Sequence, residues 1–149
     1  MIKLTKKRGQ ISIDLIMAIF LLLIISLILY NIELSYTTSM TNSLIVNRLY
    51  DIADTFENYA ILAYTKNVSI KLKLKPIGIL GYNLTIKNKT ISVYGDTYIL
   101  ITPNKNGVIL TGVFKQSPIN VGNNIVITAN VDGKIVNVSK KLNVNISFS

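Results

Sequence analysis

The chain changes its hydrophobic rhythm twice. From Leu15 to Tyr30 it is apolar almost without a break, and only Ser26 and Tyr30 carry polar side-chain atoms. Residues 15–32 hold no charge. As a helix they would measure about 27 Å, close to the roughly 30 Å of a bilayer's hydrocarbon core. A polar stretch follows, Ser35 to Ser43, built of mediocre helix formers, where a kink or loosening is expected. A helical period then returns. Ile45, Leu49, Ile52, Phe56, Tyr59 and Ala63 recur at steps of three and four and mark one face. Asn47, Arg48, Asp51, Asp54, Glu57 and Asn58 lie largely off it. The pattern predicts a helix from about residue 10 to residue 64, apolar all round at first and amphipathic later. The other reading is a separate membrane anchor and a separate core helix.

Beyond Thr65 the period becomes two. Val68, Ile70, Leu72 and Leu74 alternate with Ser69, Lys71, Lys73 and Lys75, which reads as a strand with one wet face, ended by Pro76 and Gly78. Further strands are expected at 79–86, 90–94, 97–102, 108–114, 124–131, 134–138 and 142–148. Gly95-Asp96 fits a two-residue hairpin, Asn104-Lys105-Asn106-Gly107 a longer one, and Asp132-Gly133 is the strongest hairpin signal of all. Ser117-Pro118 and Val121-Gly122 mark the longest loop. The expected fold is α+β. A long amino-terminal helix packs on a small carboxy-terminal antiparallel sheet, or sandwich, of about five to eight strands.

Composition narrows the function. The chain has 149 residues and no Cys or His. That removes disulfides, thiolate nucleophiles and His-based metal or triad chemistry. Its seven acids include Asp96 and Asp132, each beside a Gly in an expected turn, so paired carboxylates for catalysis are scarce. An enzyme is not expected, nor any cofactor or metal. The net charge is +9, but Lys3, Lys6, Lys7 and Arg8 supply four of those charges. The remaining lysines are dispersed and do not interleave with the tyrosines as a nucleic-acid groove would require.

The four leading cations stand just before the apolar run, which keeps the amino end on the cytoplasmic side of a membrane and puts everything after Tyr30 outside. The order of small and apolar residues is unusual for a secretory signal. A single Gly and a short polar signature, Gly9-Gln10-Ile11-Ser12-Ile13-Asp14, come before the apolar run. Ser35 to Met40 offers no Ala-x-Ala-like site after it. The residues suggest that a basic leader is removed while the apolar helix is kept.

At Lys7, Arg8, Gly9, Gln10, Ser12 and Asp14 the chain resembles the archaeal type IV pilin-like proteins with a class III signal peptide. Their pattern is a basic leader, Gly-Gln-x-Ser-x-Glu and a hydrophobic helix. Asp14 stands where that family usually has Glu, which keeps the charge and shortens the reach by one methylene. The resemblance implies cleavage between Gly9 and Gln10 by a prepilin peptidase, with those six residues recognised. It also implies assembly with other pilin subunits, as a homo- or hetero-oligomer, into a surface filament serving adhesion. The layout is then leader 1–9, helix 10–66 (membrane or filament-core part 10–32, amphipathic part 33–66) and an extracellular β-domain 67–149. The precursor would sit in the membrane and the mature chain in the filament.

Asp14 would pair with the new amine of Gln10 on a neighbouring chain and set axial register, since a buried charge left alone is costly. The plainer account is a first-turn acid favoured by the helix dipole. In the filament core, Ala18 and Ser26 are the small residues from Leu15 to Leu29, so packing would fall to large aliphatic side chains. Five Asn-x-Ser/Thr sequons, at Asn67, Asn83, Asn88, Asn137 and Asn145, all lie in the region expected outside and are candidate N-glycosylation sites. The competing function is an uncleaved, single-pass surface or binding protein with a β-rich ectodomain, and the Gly9-Gln10 junction separates the two.

Overall fold

The computed structural model describes residues 5–87, 89–115 and 124–149, with side chains from residue 12 onward. The expected loop at Ser117-Pro118 and Val121-Gly122 lies outside the described residues. One helix, α1, spans Thr5–Lys66. Eight strands follow: β1 (Ile70–Leu74), β2 (Tyr82–Ile86), β3 (Lys89–Val93), β4 (Thr97–Asn104), β5 (Gly107–Gly112), β6 (Asn124–Val131), β7 (Lys134–Lys141) and β8 (Ile146–Phe148). The chain divides into two compact units, Met1–Thr41 and Asn42–Ser149.

The helix departs from expectation in two places. It begins at Thr5, ahead of Gln10. Lys and Arg are good helix formers, and extending an existing helix costs far less than nucleating one. It also runs unbroken through Ser35–Ser43. Thr37, Thr38 and Thr41 donate their hydroxyls to the carbonyls of Glu33, Leu34 and Thr37, each at 2.9 Å. These hydroxyls are satisfied within the helix rather than competing with it. The helix ends in a Schellman turn. Asn67 takes a left-handed φ of 52°, and the Val68 amide donates back to the Ala63 carbonyl at 3.2 Å.

In the second unit the strands form two four-stranded sheets, β1-β4-β5-β8 and β3-β2-β6-β7. Every pairing is antiparallel except the parallel β5–β8. Alternate apolar residues of both sheets join the helix stripe in one core. Leu84, Ile91, Ile99, Leu110, Ile127 and Ile146 are all fully buried there. The stripe is Ile45, Leu49, Ala53, Phe56, Ala60 and Ala63. Ile52 is only partly buried and Tyr59 is exposed, which corrects two of the six expected positions. Reading by size alone picks Ile52 and Tyr59, but the fully buried positions one residue further on are alanines, which leave room for the sheets.

The turns also sort themselves. Asp132-Gly133 closes the β6–β7 hairpin with φ of 48° and 73°, both positive as a type I′ turn requires. Asn104 pairs with Gly107, so the β4–β5 turn is tighter than expected. Gly95-Asp96 is not a hairpin. It joins β3 to β4, which belong to different sheets. The hairpin lies one connection earlier, where Ile86 pairs with Lys89. Residues 142–145 do not extend β8, yet Leu142 and Val144 are still buried. A Cβ on Gly107 would meet the Asn145 carbonyl oxygen at 2.0 Å. At that close approach the Val108 amide donates to the same oxygen at 2.9 Å, so only Gly lets β8 dock.

Strand β1 is a sheet edge. Its outward Lys71 and Lys73 are exposed, and their ammonium groups sit 4.4 and 5.5 Å from the centre of the Tyr98 ring. Lysines on an edge discourage a second chain from pairing there, which is a sufficient account of this charge run.

Candidate functional site

The first unit presents apolar side chains in every direction. From Ile13 to Leu34 the large hydrophobic residues are 44–63% exposed, and no part of this apolar stretch is buried. The helix is long and apolar enough to cross a membrane. Water does not tolerate a surface of this size, and such patches mark membrane or protein contacts. Ser12 and Asp14 are exposed at its start. Lys7, Arg8, Gly9 and Gln10 lie in the helical backbone, and their side chains fall outside the described residues.

Several charges of the second unit are held in ion pairs. Lys140 of β7 binds both Asp54 and Glu57 of the helix. Those hydrogen bonds, to Asp54 first and Glu57 second, push the Lys140 amine above its ordinary range. Glu57, expected off the packed face, is 8% exposed, and Lys140 is what makes its burial tolerable. Lys73 pairs with Asp96, and that hydrogen bond chiefly raises its pKa as well. This gives Asp96 a structural task. Tyr82 is buried with its hydroxyl unpartnered, and burial pushes the phenol upward.

The sequon asparagines differ in setting. Asn67, Asn137 and Asn145 are exposed, Asn83 is half-buried in an inner strand, and Asn88 lies outside the described residues. Asn67 is the helix cap. Asn83 and Asn137 belong to a polar row across the second sheet. Ser92 donates to Asn83 Oδ1 at 2.9 Å and Thr128 donates to Asn137 Oδ1 at 2.8 Å, while Asn83 and Thr128 are register neighbours. No three His, Cys, Asp or Glu side chains gather as metal ligands among the described residues.

A long apolar amino-terminal helix followed by a small α+β unit, its core shared by helix and sheets, is a pilin-like architecture. The uncharacterized protein MJ1467 of Methanocaldococcus jannaschii is 50% identical to the chain over 143 residues, covering 95% of the chain and 78% of that protein. The minor structural pilin EpdC of Methanococcus maripaludis is 41% identical over 97 residues, covering 65% of the chain and 63% of that pilin. The chain belongs to one family with MJ1467, and over a shorter stretch it is similar to the named pilin. It spans less than two thirds of the length of the named pilin. No protein-family model and no solved structure matches it. The architecture points to a structural rather than a catalytic role.

Proposed function

We propose that the protein is a subunit, major or minor, of an archaeal type IV pilus-like surface filament. The observation that carries this reading is the all-round exposure of apolar side chains from Ile13 to Leu34. The relative that bears the name of a minor structural pilin supports it. In the precursor, lipid covers this surface, with the amino end cytoplasmic and the β-unit outside. In the filament, the helices of other pilin subunits cover it. Lipid chains are as apolar as leucine, so the gain on leaving them comes from side-chain packing and hydrogen bonds rather than from escape from water.

A prepilin peptidase would release the filament form between Gly9 and Gln10, reading Lys7, Arg8, Gly9, Gln10, Ser12 and Asp14. The helical backbone there has to open for cleavage, and Gly9 is the poorest helix former in the segment. The Gln10 amine of one subunit would then pair with Asp14 of the next and fix axial register. Those Asp14→Ala chains that are still cut between Gly9 and Gln10 would fail to assemble in register. Normal assembly of that variant would end the pairing idea. The outer unit serves adhesion, and glycans on exposed Asn67, Asn137 and Asn145 would shield it, with Asn83 the least accessible of the four described sequons.

The second reading is an uncut single-pass anchor, in which the helix stays continuous through the Gly9-Gln10 junction. Mass spectrometry of the amino terminus separates the two, applied to membranes and to sheared surface material. A start at Gln10 supports the filament subunit. An intact leader in every fraction overturns it in favour of an anchored ectodomain.

A further inference from the structure

The outer face of the β3-β2-β6-β7 sheet carries a cleft of about 380 Å³. Gly81, Asn83, Tyr94, Thr128, Asn130 and Ile135 line it, brought together from β2, β6, β7 and the segments beside β2 and β3. Tyr94 is 76% exposed, so its ring is open to a ligand. A Cβ on Gly81 would lie 2.7 Å from Tyr94 Cδ1, so the ring rests against the bare glycine backbone. Around this ring stand amides and a hydroxyl, and no lining residue is charged.

The row beneath the cleft orients those polar groups. Asn83 Oδ1 accepts from Ser92. Because an amide is planar, its Nδ2 donor is turned the other way. Thr128 Oγ1 spends its proton on Asn137, which leaves its lone pairs to accept. Asn83 is thus left with a donor and Thr128 with an acceptor, in a cleft that Tyr94 also lines.

We infer that this cleft binds a neutral carbohydrate, with the C–H face of a sugar ring on Tyr94 and its hydroxyls on Asn83, Thr128 and Asn130. Aromatic rings with a polar tip suit ligands that are apolar on one face and wet on the edge. Orientation in such sites comes from a few placed polar groups. An anionic polymer or nucleic acid would call for cations that the lining lacks. A peptide strand would call for unpaired backbone, but β2 and β6 are paired on both sides. The proposal does not depend on leader cleavage or on filament assembly, because the cleft lies within the second unit.

The test uses the full chain in a zwitterionic detergent without sugar headgroups, produced unglycosylated. It is titrated with neutral cellohexaose and chitohexaose and, as an anionic comparison, with a hyaluronan hexamer. Isothermal titration calorimetry serves as the readout, because the Tyr94 variants would remove the fluorophore at the site. We expect saturable binding of at least one neutral hexamer. Tyr94→Ala should weaken it about tenfold while Tyr94→Phe binds like the parent, because the ring face makes the contact. Asn130→Ala should weaken it less. Circular dichroism shows that each variant remains folded. No saturable binding of either neutral hexamer would overturn the proposal. So would a folded Tyr94→Ala chain that binds as well as the parent, or a preference for the anionic hexamer.

Discussion

The two units of this chain solve the problem of apolar surface in opposite ways. In the unit Asn42–Ser149 the helix stripe, the inner faces of two sheets and the residues before β8 cover one another, and Phe56, Leu84 and Ile127 have no exposed surface. In the unit Met1–Thr41 nothing covers Leu22 or Leu27, which stay about as exposed as an open helix allows. Among the described residues, twenty-five hydrophobic side chains are buried in one core, while the helix surface from Ile13 to Leu34 is left bare. The same helix shows both behaviours, so the difference lies in the residue pattern and not in the secondary structure. Apolar on every side asks for an apolar solvent or a ring of neighbours, while apolar on one stripe asks for a sheet.

The sharpest way to break this comparison is to cut the same kind of side chain from each unit. Phe56→Ala should cost about 3–5 kcal/mol of unfolding free energy, through lost burial and a cavity. Leu22→Ala should leave the urea midpoint of the detergent-solubilised chain unmoved and reduce recovery in surface filaments. Equal losses from the two would mean that the first unit has an internal core. Adding volume should separate them next. Ala60→Leu, on the buried stripe, should cost about 1–3 kcal/mol by overpacking, and Ala18→Leu should cost nothing measurable in the same assay.

Titration sharpens the comparison further, since among the described residues the shifted groups lie in the second unit. Burial raises the Tyr82 phenol above 10.0. Above pH 10 the unfolded chain therefore ionises first, the folded chain holds more protons, and stability falls with rising pH. Tyr82→Phe should flatten that alkaline loss and add about 1 kcal/mol near neutrality by removing an unpaired buried hydroxyl. The smallest effect expected is at Lys140. Its raised pKa makes its contribution complete below the ordinary lysine value of 10.5 and lost as pH climbs through the folded value. Lys140→Met should lower the midpoint modestly, with Glu57→Gln in the same chain recovering most of the loss. High salt should shrink the effect, because the ammonium is solvent-accessible.

Much of this was legible in the sequence because periodicity is local. The uncharged run at 15–32, the alternation around Leu72 and Leu74, and the Asp132-Gly133 turn each declare themselves within a few residues. What stayed hidden depends on partners far away. Ala53 and Ala60 look like filler until the sheets that press on them are known. Gly95-Asp96 has hairpin chemistry, yet the strands on either side are claimed by different sheets. Glu57 reads as solvated until Lys140, from β7, comes to meet it. The cleft at Tyr94 could not be read at all, since its lining is gathered from positions between Gly81 and Ile135.

The interleaved strand order sets the pace of folding. β1 waits for β4, β2 for β6 and β5 for β8, so neither sheet can be completed from a contiguous stretch of chain. Long loops must close before their contacts reward them, and domains dominated by such pairings fold in roughly milliseconds to seconds rather than microseconds. Throughout that interval β-rich, apolar segments stand open beside those of neighbouring chains. Lysines spaced along β1 would then guard the unfinished molecule as well as the finished edge.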